Sequence, residues 1–360
     1  MNKICCTIPS LSAGGMERVM SVLANNFASR ENTEVHLVLY GKEREIFYHV
    51  DSRIVIHVPH FSFNDSQRVL STIWTMLWIR KEIKKIVPNA VLTFGEFWNS
   101  LVLLSLTGLS YSVFISDRCR PDKNLGRIHN FLRIHLYKKA KGIICQTSQA
   151  KTITLKRHAH KNIAVIGNPI QEIKRENTIE KENIIVSVGR LIETKHFDRL
   201  VSVFSKLNAS SWKLVIIGGD SIKQNNFIKL KEQIKELQIE DSVLLEGYQK
   251  NIDEYLLKSK IFAFMSSSEG FPNVIGEAMS AGLPVIAYDC IAGPGDMIEN
   301  SRNGFLTPLF DDDFYLEKLQ YLITNEEERE SMGVYAKHSI KKFDANRICD
   351  NYFQFLTENQ

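Results

Sequence analysis

Two glutamates with seven residues between them, Glu269 and Glu277, lie in a segment rich in glycine and small side chains. Pro272 suits the first turn of a helix, which would start there and carry Glu277 about one turn inside. Glu269 stays on the preceding loop, so both side chains can face one ligand. A carboxylate accepts hydrogen bonds from two vicinal hydroxyls at once, the pattern that a sugar or a ribose offers. On the alternative interpretation, both glutamates are surface charges beside an ordinary helix.

The start of the same helix predicts a phosphate site. The first amide groups of a helix have no intrahelical acceptor, so those around Asn273 and Val274 point out of its amino-terminal end. Such an end favours bound anions, because it also carries the positive pole of the helix dipole. A sugar-binding carboxylate pair beside a phosphate site indicates a ligand that carries both groups.

Short apolar runs that alternate with helical patterns must position these residues. In the first half, the strand-like runs are Ile4–Ile8, Val35–Leu39, Val91–Phe94, Ser112–Ile115 and Gly142–Cys145. In the second half, they are Ile184–Val188, Trp212–Ile217, Val243–Leu245, Ile261–Met265 and Pro284–Ala287. This alternation predicts an α/β protein with two parallel, doubly wound sheets and ligands at the carboxyl ends of the strands.

Size and composition are those of an ordinary globular protein. The chain has 360 residues, 44% of them hydrophobic and 24% charged, which favours two domains. The charged segment Glu172–Asn183 is the predicted linker. We expect neither a secretory signal nor a spanning helix, because no apolar run approaches about 18 residues. Six irregularly spaced cysteines indicate reduced thiols in a cytoplasm, and His158 and His160 show no metal-site spacing.

The charge is unevenly distributed along the chain. Residues 1–168 contain 23 Lys and Arg against 11 Asp and Glu, a net charge of +12. Residues 169–360 contain 22 against 30, a net charge of −8. The basic half predicts a polyanionic partner, a membrane or a nucleic acid, unless its charges are merely solvated. We expect no nucleic-acid partner, since no stacking motif or zinc finger supports one.

The segment Ser268–Ile286 resembles the Glu-x7-Glu signature of the retaining glycosyltransferases of family 4, also called glycosyl transferases group 1. This family has the GT-B fold, and the resemblance covers nearly the whole chain. Three further segments carry it: Gly14-Gly15 with Met16-Glu17-Arg18, Ser187–Leu191 with Lys195, and Gly293–Ile298 with Asn303–Leu306. They resemble the family's amino-terminal glycine loop, its basic pair and the end of its signature.

The resemblance implies a GT-B protein of two Rossmann-like domains that face each other across a cleft. Residues 1–168 would form the acceptor-side domain and residues 169–342 the donor-binding domain, with a helix at about 343–360 packing back on the first. The implied reaction moves a hexose or N-acetylhexosamine, with retention, from a UDP-sugar to an acceptor hydroxyl. The implied acceptor is a lipid-linked saccharide of surface glycan biosynthesis, carried on a polyprenyl diphosphate. No metal or other cofactor is implied, because GT-B enzymes bind the diphosphate with protein groups.

The resemblance also assigns roles to site residues. Arg190 and Lys195 would clamp the donor diphosphate and stabilise the charge of the leaving phosphate. Glu277 would bind the ribose and Glu269 the transferred sugar. Gly14 and Gly15 would let the backbone approach the phosphates or the sugar. Taken singly, the two cations are also compatible with surface residues, and the two glycines with a plain tight turn.

The loop after Ser112–Ile115 departs from the family pattern. Relatives often have a histidine there, whereas this chain has Asp117 and Arg118. Asp117 would orient the donor sugar or the acceptor, and Arg118 would pair with it or meet a phosphate. Cys119 is interpreted as a bystander, since nothing nearby lowers its pKa. A catalytically silent nucleotide-sugar-binding module is therefore the alternative function, although the set of Arg190, Lys195, Glu269 and Glu277 opposes it.

A dinucleotide-dependent oxidoreductase is the other alternative, because doubly wound halves are common in that class. It is disfavoured, because Ala13-Gly14-Gly15-Met16 lacks the third glycine of the dinucleotide fingerprint.

Two basic helices with aromatic residues predict peripheral docking on the inner face of the cytoplasmic membrane. On one helix, Trp74, Trp78, Lys81 and Lys85 form one stripe, while Ile79, Ile83 and Ile86 pack on the sheet. The second stretch contains Arg127, Arg133, Lys138, Lys139 and Lys141 beside Phe131, Leu132 and Tyr137. On the alternative interpretation, the tryptophans belong to the core and the lysines are solvated.

Overall fold

The computed structural model describes residues 1–174, 179–221 and 224–358. It divides into two compact units, one of residues 1–169 with 345–360 and one of residues 170–344. Part of the predicted linker, residues 175–178, lies outside the described residues.

The first unit contains a parallel sheet of seven described strands. They are β1 (Asn2–Ile8), β2 (Thr33–Leu39), β3 (Val55–His57), β4 (Ala90–Phe94), β5 (Ser112–Ser116), β6 (Gly142–Cys145) and β7 (Ile163–Val165). Their order in the sheet is β3-β2-β1-β4-β5-β6-β7. All five residues of β4 are buried, as expected for a central strand covered by helices on both faces.

The helices of the first unit are α1 (Gly15–Ala28), α2 (Arg68–Ile86), α3 (Glu96–Ser105), α4 (Arg127–Leu136), α5 (Ser148–His158) and the carboxyl-terminal helix α13 (Ala345–Glu358). Short 3₁₀ turns span Asp65–Gln67 and Tyr137–Lys139. Helix α13 packs on this unit through its aromatic residues. The ring of Phe353 lies 5.7 Å from that of Phe27, and the ring of Phe355 lies 5.5 Å from that of Phe114.

The second unit repeats the pattern around six described parallel strands. They are β8 (Ile184–Val188), β9 (Lys213–Ile217), β10 (Val243–Gly247), β11 (Ile261–Phe264), β12 (Val285–Tyr288) and β13 (Gly304–Thr307), in the order β10-β9-β8-β11-β12-β13. The helices are α6 (Phe197–Ser205), α7 (Asn226–Glu236), α8 (Ile252–Lys258), α9 (Asn273–Ser280), α10 (Pro294–Met297), α11 (Asp312–Thr324) and α12 (Glu326–Ser339). 3₁₀ turns span Glu193–Lys195 and Ile340–Phe343.

Each sheet has one point at which the strand order reverses. In the first unit it lies between β1 and β4, and in the second between β8 and β11. The loops that follow such a pair of strands diverge to opposite faces of the sheet and leave a crevice for ligands. The segments that the sequence singled out, Gly14-Gly15, Gly189–Lys195 and Ser266–Gly270, all follow strands of these two pairs.

Candidate active site

Lys195 and Glu269 meet at the strand reversal of the second unit. Lys195 ends the 3₁₀ turn after β8, and Glu269 lies on the loop after the neighbouring β11. Nζ of Lys195 donates to Oε1 of Glu269 at 2.7 Å, and the two side chains are only 16% and 13% exposed. The same Nζ lies 4.8 Å from the centre of the Phe264 ring. A lysine and a carboxylate assigned to different parts of one ligand are therefore direct neighbours.

Hydrogen bonds between the two loops hold this pair in place. The amide of Ser267 and the hydroxyl of Ser266 both donate to the carbonyl oxygen of Thr194, at 2.9 and 3.1 Å. His196 is hydrogen-bonded through Nε2 to the hydroxyl of Ser267 at 2.7 Å. Burial lowers the pKa of His196, which favours the neutral ring. These positioning residues were not predicted; the run of three serines after Met265 was the only signal for them in the sequence.

Arg190 presents a free cation at the carboxyl end of β8. Its side chain is exposed and makes no hydrogen bond or ion pair within the described ranges. Its backbone position is fixed by neighbours, because the amide of Gly189 donates to Ile217 and that of Leu191 to Gly219. Arg190 can therefore turn toward an anion without breaking an existing contact.

Helix α9 begins at Asn273, one residue later than predicted. Pro272 precedes it with φ −79° and ψ 87°, outside the helical region, and its carbonyl accepts from the amide of Ile275 at 3.0 Å. Asn273 and Val274 are half-buried in the first turn, and Glu277 is buried with 6% of its surface exposed. The burial of Glu277 argues against its being a simple surface charge, because ionised carboxylates are rarely buried without a partner.

Gly293, in the segment that resembles the end of the family signature, supports the start of α9. Its φ is +112°, and a Cβ there would lie 2.3 Å from Cδ of Pro272. We expect Gly293→Ala to destabilise the protein by about 1–3 kcal/mol, since it introduces both strain and a clash. Gly295→Ala is the matched control, because its nearest neighbour would be Oδ1 of Asp289 at 3.5 Å. Chemical unfolding of both variants measures the difference, and equal stabilities would contradict the packing argument.

Gly14 and Gly15 open helix α1 in the first unit. Gly14 has an extended φ of −174°, so its glycine is not required by backbone conformation. A Cβ there would lie 2.2 Å from Oε2 of Glu17, the end of a flexible side chain, so a larger residue would require Glu17 to shift. The hydroxyl of Tyr48 bonds to both the amide and the carbonyl of Gly14, at 3.0 and 2.9 Å. Gly15 is exposed as the first helical residue.

The carboxylate of Asp117, after β5, is surrounded by protein groups. Oδ1 accepts from Nδ2 of Asn99 at 2.9 Å and from the hydroxyl of Tyr137 at 2.5 Å, and Oδ2 pairs with Arg133. Gln146 also donates to the backbone carbonyl of Asp117 at 2.7 Å. The carboxylate is therefore already committed to contacts within the first unit.

Arg118 binds elsewhere in the same unit. Its guanidinium donates to Asn168 at 2.6 Å and to the hydroxyl of Tyr352 at 3.0 Å, and it stacks 3.3 Å above the centre of the Phe94 ring. Of the two roles left open for it, the ion pair with Asp117 is absent among the described contacts, since Asp117 pairs with Arg133. Arg118 instead joins the end of β5 to helix α13.

The expectation that Arg133 and Tyr137 face a membrane is wrong. Arg133 and Tyr137 are buried, with 5% and 1% of their surface exposed, because they hold Asp117 rather than face solvent. Trp78 is half-buried against the core formed by Ile79, Ile83 and Ile86. The exposed apolar residues of α2 lie nearer its start: Val69, Leu70, Ile73, Trp74 and Leu77.

The surroundings of Cys119 fit its interpretation as a bystander. Burial first, and then the nearby carboxylates of Glu96 and Asp117, raise the pKa of its thiol. No group of three or more metal-ligating side chains is arranged around a common point within residues 1–174, 179–221 and 224–358. Among the helices described, none combines the length and the apolar character needed to cross a bilayer.

Two family profiles match adjacent parts of the chain. The profile of the glycosyl transferases group 1 matches residues 169–339, and that of glycosyltransferase family 4 matches residues 13–172. Together with the two parallel sheets, these matches decide the assignment. The chain is a GT-B glycosyltransferase of group 1.

Relatives of this group 1 glycosyltransferase are similar over nearly their whole length. An amylovoran biosynthesis glycosyltransferase of Erwinia amylovora is 27% identical, over 92% of this chain and 93% of the relative. An alpha-1,4-N-acetyl-D-galactosaminyltransferase of Campylobacter jejuni, named for a diphospho-undecaprenol-linked saccharide, is 25% identical over 99% of both chains. The crystal structure of Anabaena HepE in complex with UDP superposes with a TM-score of 0.83, at 16% identity, covering 99% of this chain and 100% of the other. This last likeness concerns the fold.

Proposed function

We propose that this glycosyltransferase moves a hexose or N-acetylhexosamine from a UDP-sugar, with retention of configuration, to a hydroxyl of a lipid-linked saccharide. The observation that carries the proposal is the Lys195–Glu269 pair at the strand reversal of the second unit. Arg190, free and exposed, lies on the same loop as Lys195, and the amino-terminal end of α9 follows Glu269 along the chain.

The proposed site divides the donor among these groups. Arg190, Lys195 and the first amides of α9, at Asn273 and Val274, bind the diphosphate. Glu277 accepts from the ribose hydroxyls, and Glu269 accepts from the hydroxyls of the transferred sugar. Lys195 can bind a phosphate oxygen while it keeps Glu269, because an ammonium group has three donors and only one is used at 2.7 Å.

The chemistry follows from where charge develops. The bond between the anomeric carbon and the β-phosphate oxygen breaks, and its electron pair stays on the phosphate. Fixed cations and helix amides stabilise this growing negative charge more than they stabilise the ground state. The acceptor hydroxyl attacks the anomeric carbon from the face that the phosphate leaves, and its proton passes to the departing phosphate oxygen as the new glycosidic bond forms. Configuration is therefore retained.

A protein of the same fold and two sequence relatives support the donor and acceptor classes. HepE has been crystallised with UDP, and two Campylobacter jejuni relatives are named for acceptors on diphospho-undecaprenol. Acceptors of that kind are lipid-anchored and anionic, which fits the net charge of +12 in residues 1–168.

We expect an α-linked UDP-sugar to give an α-linked product. The test incubates the protein with a panel of UDP-hexoses and UDP-N-acetylhexosamines and a prenyl-diphosphate-linked saccharide, and NMR of the anomeric proton identifies the linkage. The rate should persist in EDTA, since the proposed cations are side chains. A β-linked product would contradict retention. If the protein binds UDP but neither transfers nor hydrolyses any donor, the alternative of a catalytically silent nucleotide-sugar-binding module would be favoured.

The first unit also supports docking on an anionic membrane. Helix α2 exposes apolar side chains over its first three turns, with Val69 at 74% and Trp74 at 61%, and exposes Lys81, Lys84 and Lys85 over its last turns. The single acidic residue of α2, Glu82, lies 3.1 Å from a ring nitrogen of His57 and is mostly covered. A helix surface with apolar and basic residues and without an exposed carboxylate suits an anionic leaflet.

We expect Lys81→Glu/Lys85→Glu to weaken binding to phosphatidylglycerol vesicles by roughly 30-fold, since each lysine contributes about 1 kcal/mol near an anionic leaflet. Co-sedimentation at low and high salt measures the loss, and salt should weaken wild-type binding because the attraction is screened. Lys231→Glu/Lys235→Glu on α7 is the matched control, since both lysines are exposed at the same spacing in the second unit. If both variants lost vesicle binding equally, or neither lost any, the lysines of α2 would be solvated surface residues without a role in membrane binding.

A further inference from the structure

We infer that a cationic cavity in the first unit binds the phosphate or diphosphate group of the lipid-linked acceptor. The cavity has a volume of about 490 Å³ and lies between the loop after β5, helix α4 and the end of α5. The residues that line it are Asp122, Lys123, Asn124, Asn130, Arg133, Ile134, Arg157 and His158. The inference rests on the proposed function, whose acceptor it describes in more detail.

Buried polar groups in the cavity wall have no hydrogen-bond partner among the described residues. His158 is 2% exposed, and neither of its ring nitrogens has a partner. Nε of Arg133 also has none, although the same guanidinium pairs with Asp117. Buried donors without acceptors are costly to a folded protein, so such groups around a cavity indicate a polar ligand.

The wall is also cationic. The guanidinium of Arg157 donates to the carbonyl oxygens of Pro121 and Asp122, at 2.8 and 2.9 Å, so no carboxylate in the described contacts neutralises it. Lys123 is exposed, and its nearest carboxylate, on Glu96, is 3.8 Å away.

The carboxylate in the wall is already neutralised. Oδ1 of Asp122 lies 2.6 Å from Nε of Arg120, a contact between charges that lacks hydrogen-bond geometry. Arg157 therefore has no carboxylate partner among the described contacts, and Lys123 has only its long ion pair with Glu96. The ligand that the two cations favour is an anion.

The pKa of His158 should respond to an anion bound in the cavity. Burial, and then the charge of Arg133, lower the pKa of His158 to about 4. The ring is thus neutral at pH 7, with one donor and one acceptor nitrogen. The ring lies 4.9 Å from that of Tyr137, which fixes its position. A phosphate beside it would favour the protonated ring and raise its pKa.

One wall residue connects the cavity to an apolar surface. Ile134 lines the cavity and is 43% exposed, in one stripe of α4 with Ile128 and Phe131, which are 75% and 59% exposed. A stripe of this kind inserts at the boundary between lipid headgroups and acyl chains. A cavity that shares a residue with the stripe would then lie at headgroup depth, where the phosphates of a prenyl-diphosphate carrier are found. This arrangement favours a lipid-borne phosphate over a free one.

The test uses inorganic pyrophosphate and the NMR signals of His158, assigned with His158→Phe. Pyrophosphate should move the titration midpoint of His158 upward by about one pH unit, and Lys123→Glu should weaken binding at least 10-fold. Lys161→Glu is the matched control, because this lysine is exposed and does not line the cavity. The affinity of this variant for pyrophosphate should stay within about twofold of wild type. Because His158 reports locally, pyrophosphate at the donor site does not affect the reading. An unmoved His158 signal, or equal losses in both charge variants, would overturn the inference.

A second arm separates the lipid from a soluble source. Phosphatidylcholine vesicles that carry a long-chain prenyl diphosphate should displace pyrophosphate from the cavity, whereas vesicles with phosphatidylglycerol at equal charge should displace at least 10-fold less. Equal displacement by both would overturn the assignment to the acceptor. Hydrolysis of UDP-sugars, measured on the same samples, tests the proposed function independently. If the protein hydrolyses the donor but pyrophosphate does not change the NMR signal of His158, only the inference about the cavity is rejected.

Discussion

Replacing Arg190 with alanine is expected to lower kcat/KM for the donor by about 30- to 1,000-fold, equivalent to roughly 2–4 kcal/mol of transition-state stabilisation. The guanidinium is exposed and free of contacts within the described structure, so its removal leaves no neighbour unpaired. The stability of the protein should therefore stay within about 0.5 kcal/mol of wild type. If Arg190 contacts the donor and no protein group, its loss should lower activity strongly and leave stability unchanged.

Glu277→Ala should lower kcat/KM to a similar extent but for a different reason. The variant would lose the proposed hydrogen bonds to the ribose and, because Glu277 is buried, would also disturb helix α9. Glu277→Gln, of nearly the same volume, separates the two effects, because it keeps the packing but removes the negative charge and exchanges one acceptor oxygen for a donor NH2. We expect it to recover stability more than activity.

Donor hydrolysis, transfer and thermal unfolding should be measured together on these variants. Arg302→Ala is the matched control for Arg190→Ala. Arg302 is exposed and lies just before β13 in the same unit, whereas Arg190 follows β8. Among the described contacts, Arg302 pairs with Glu299 and stacks on the ring of Tyr335. Turnover like that of wild type in both Arg190→Ala and Glu277→Ala would refute the donor site.

The central strands were predictable from the sequence, and the edges of the sheets were less so. Residues of β1, β4, β5 and β8 are covered on both faces, which makes each a continuous apolar run. The three strands not predicted, β3, β7 and β13, are three or four residues long and lie at sheet edges. An edge strand has a partner on one side only, so fewer of its residues need be apolar. In β3, Val55 and Ile56 are themselves exposed.

In the candidate site, the residues could be predicted from the sequence, but the contacts between their side chains could not. The Glu269–Glu277 spacing, Arg190 and Lys195 could be recognised because they are close in sequence and resemble a family signature. The contact between Lys195 and Glu269 spans 74 residues, and it depends on the neighbouring positions of β8 and β11 in the sheet. Sheet order is fixed by packing over the whole domain, and no local pattern encodes it. The bonds of Ser266 and Ser267 to Thr194 were unpredictable for the same reason.

Arg133 is the residue whose role changed most between sequence and structure, and it carries the second large prediction. Its position in a basic, aromatic helix predicted a membrane contact, but its side chain is buried against Asp117. We expect Arg133→Met to destabilise the protein by about 3–5 kcal/mol, since it leaves a largely covered carboxylate without its cation. Asn99 and Tyr137 would still donate to Asp117, but neutral donors compensate a buried charge less well.

Thermal and urea unfolding measure this loss, and two companion variants establish its cause. Lys139→Met removes an exposed positive charge six residues along the chain and should change stability by less than about 0.5 kcal/mol. Asp117→Asn in the Arg133→Met background removes the unpaired charge and should recover much of the stability, because the remaining amide can still bond to Tyr137. If Arg133→Met instead left stability unchanged and weakened only vesicle binding, Arg133 would be a lipid contact and the buried ion pair would have no structural role.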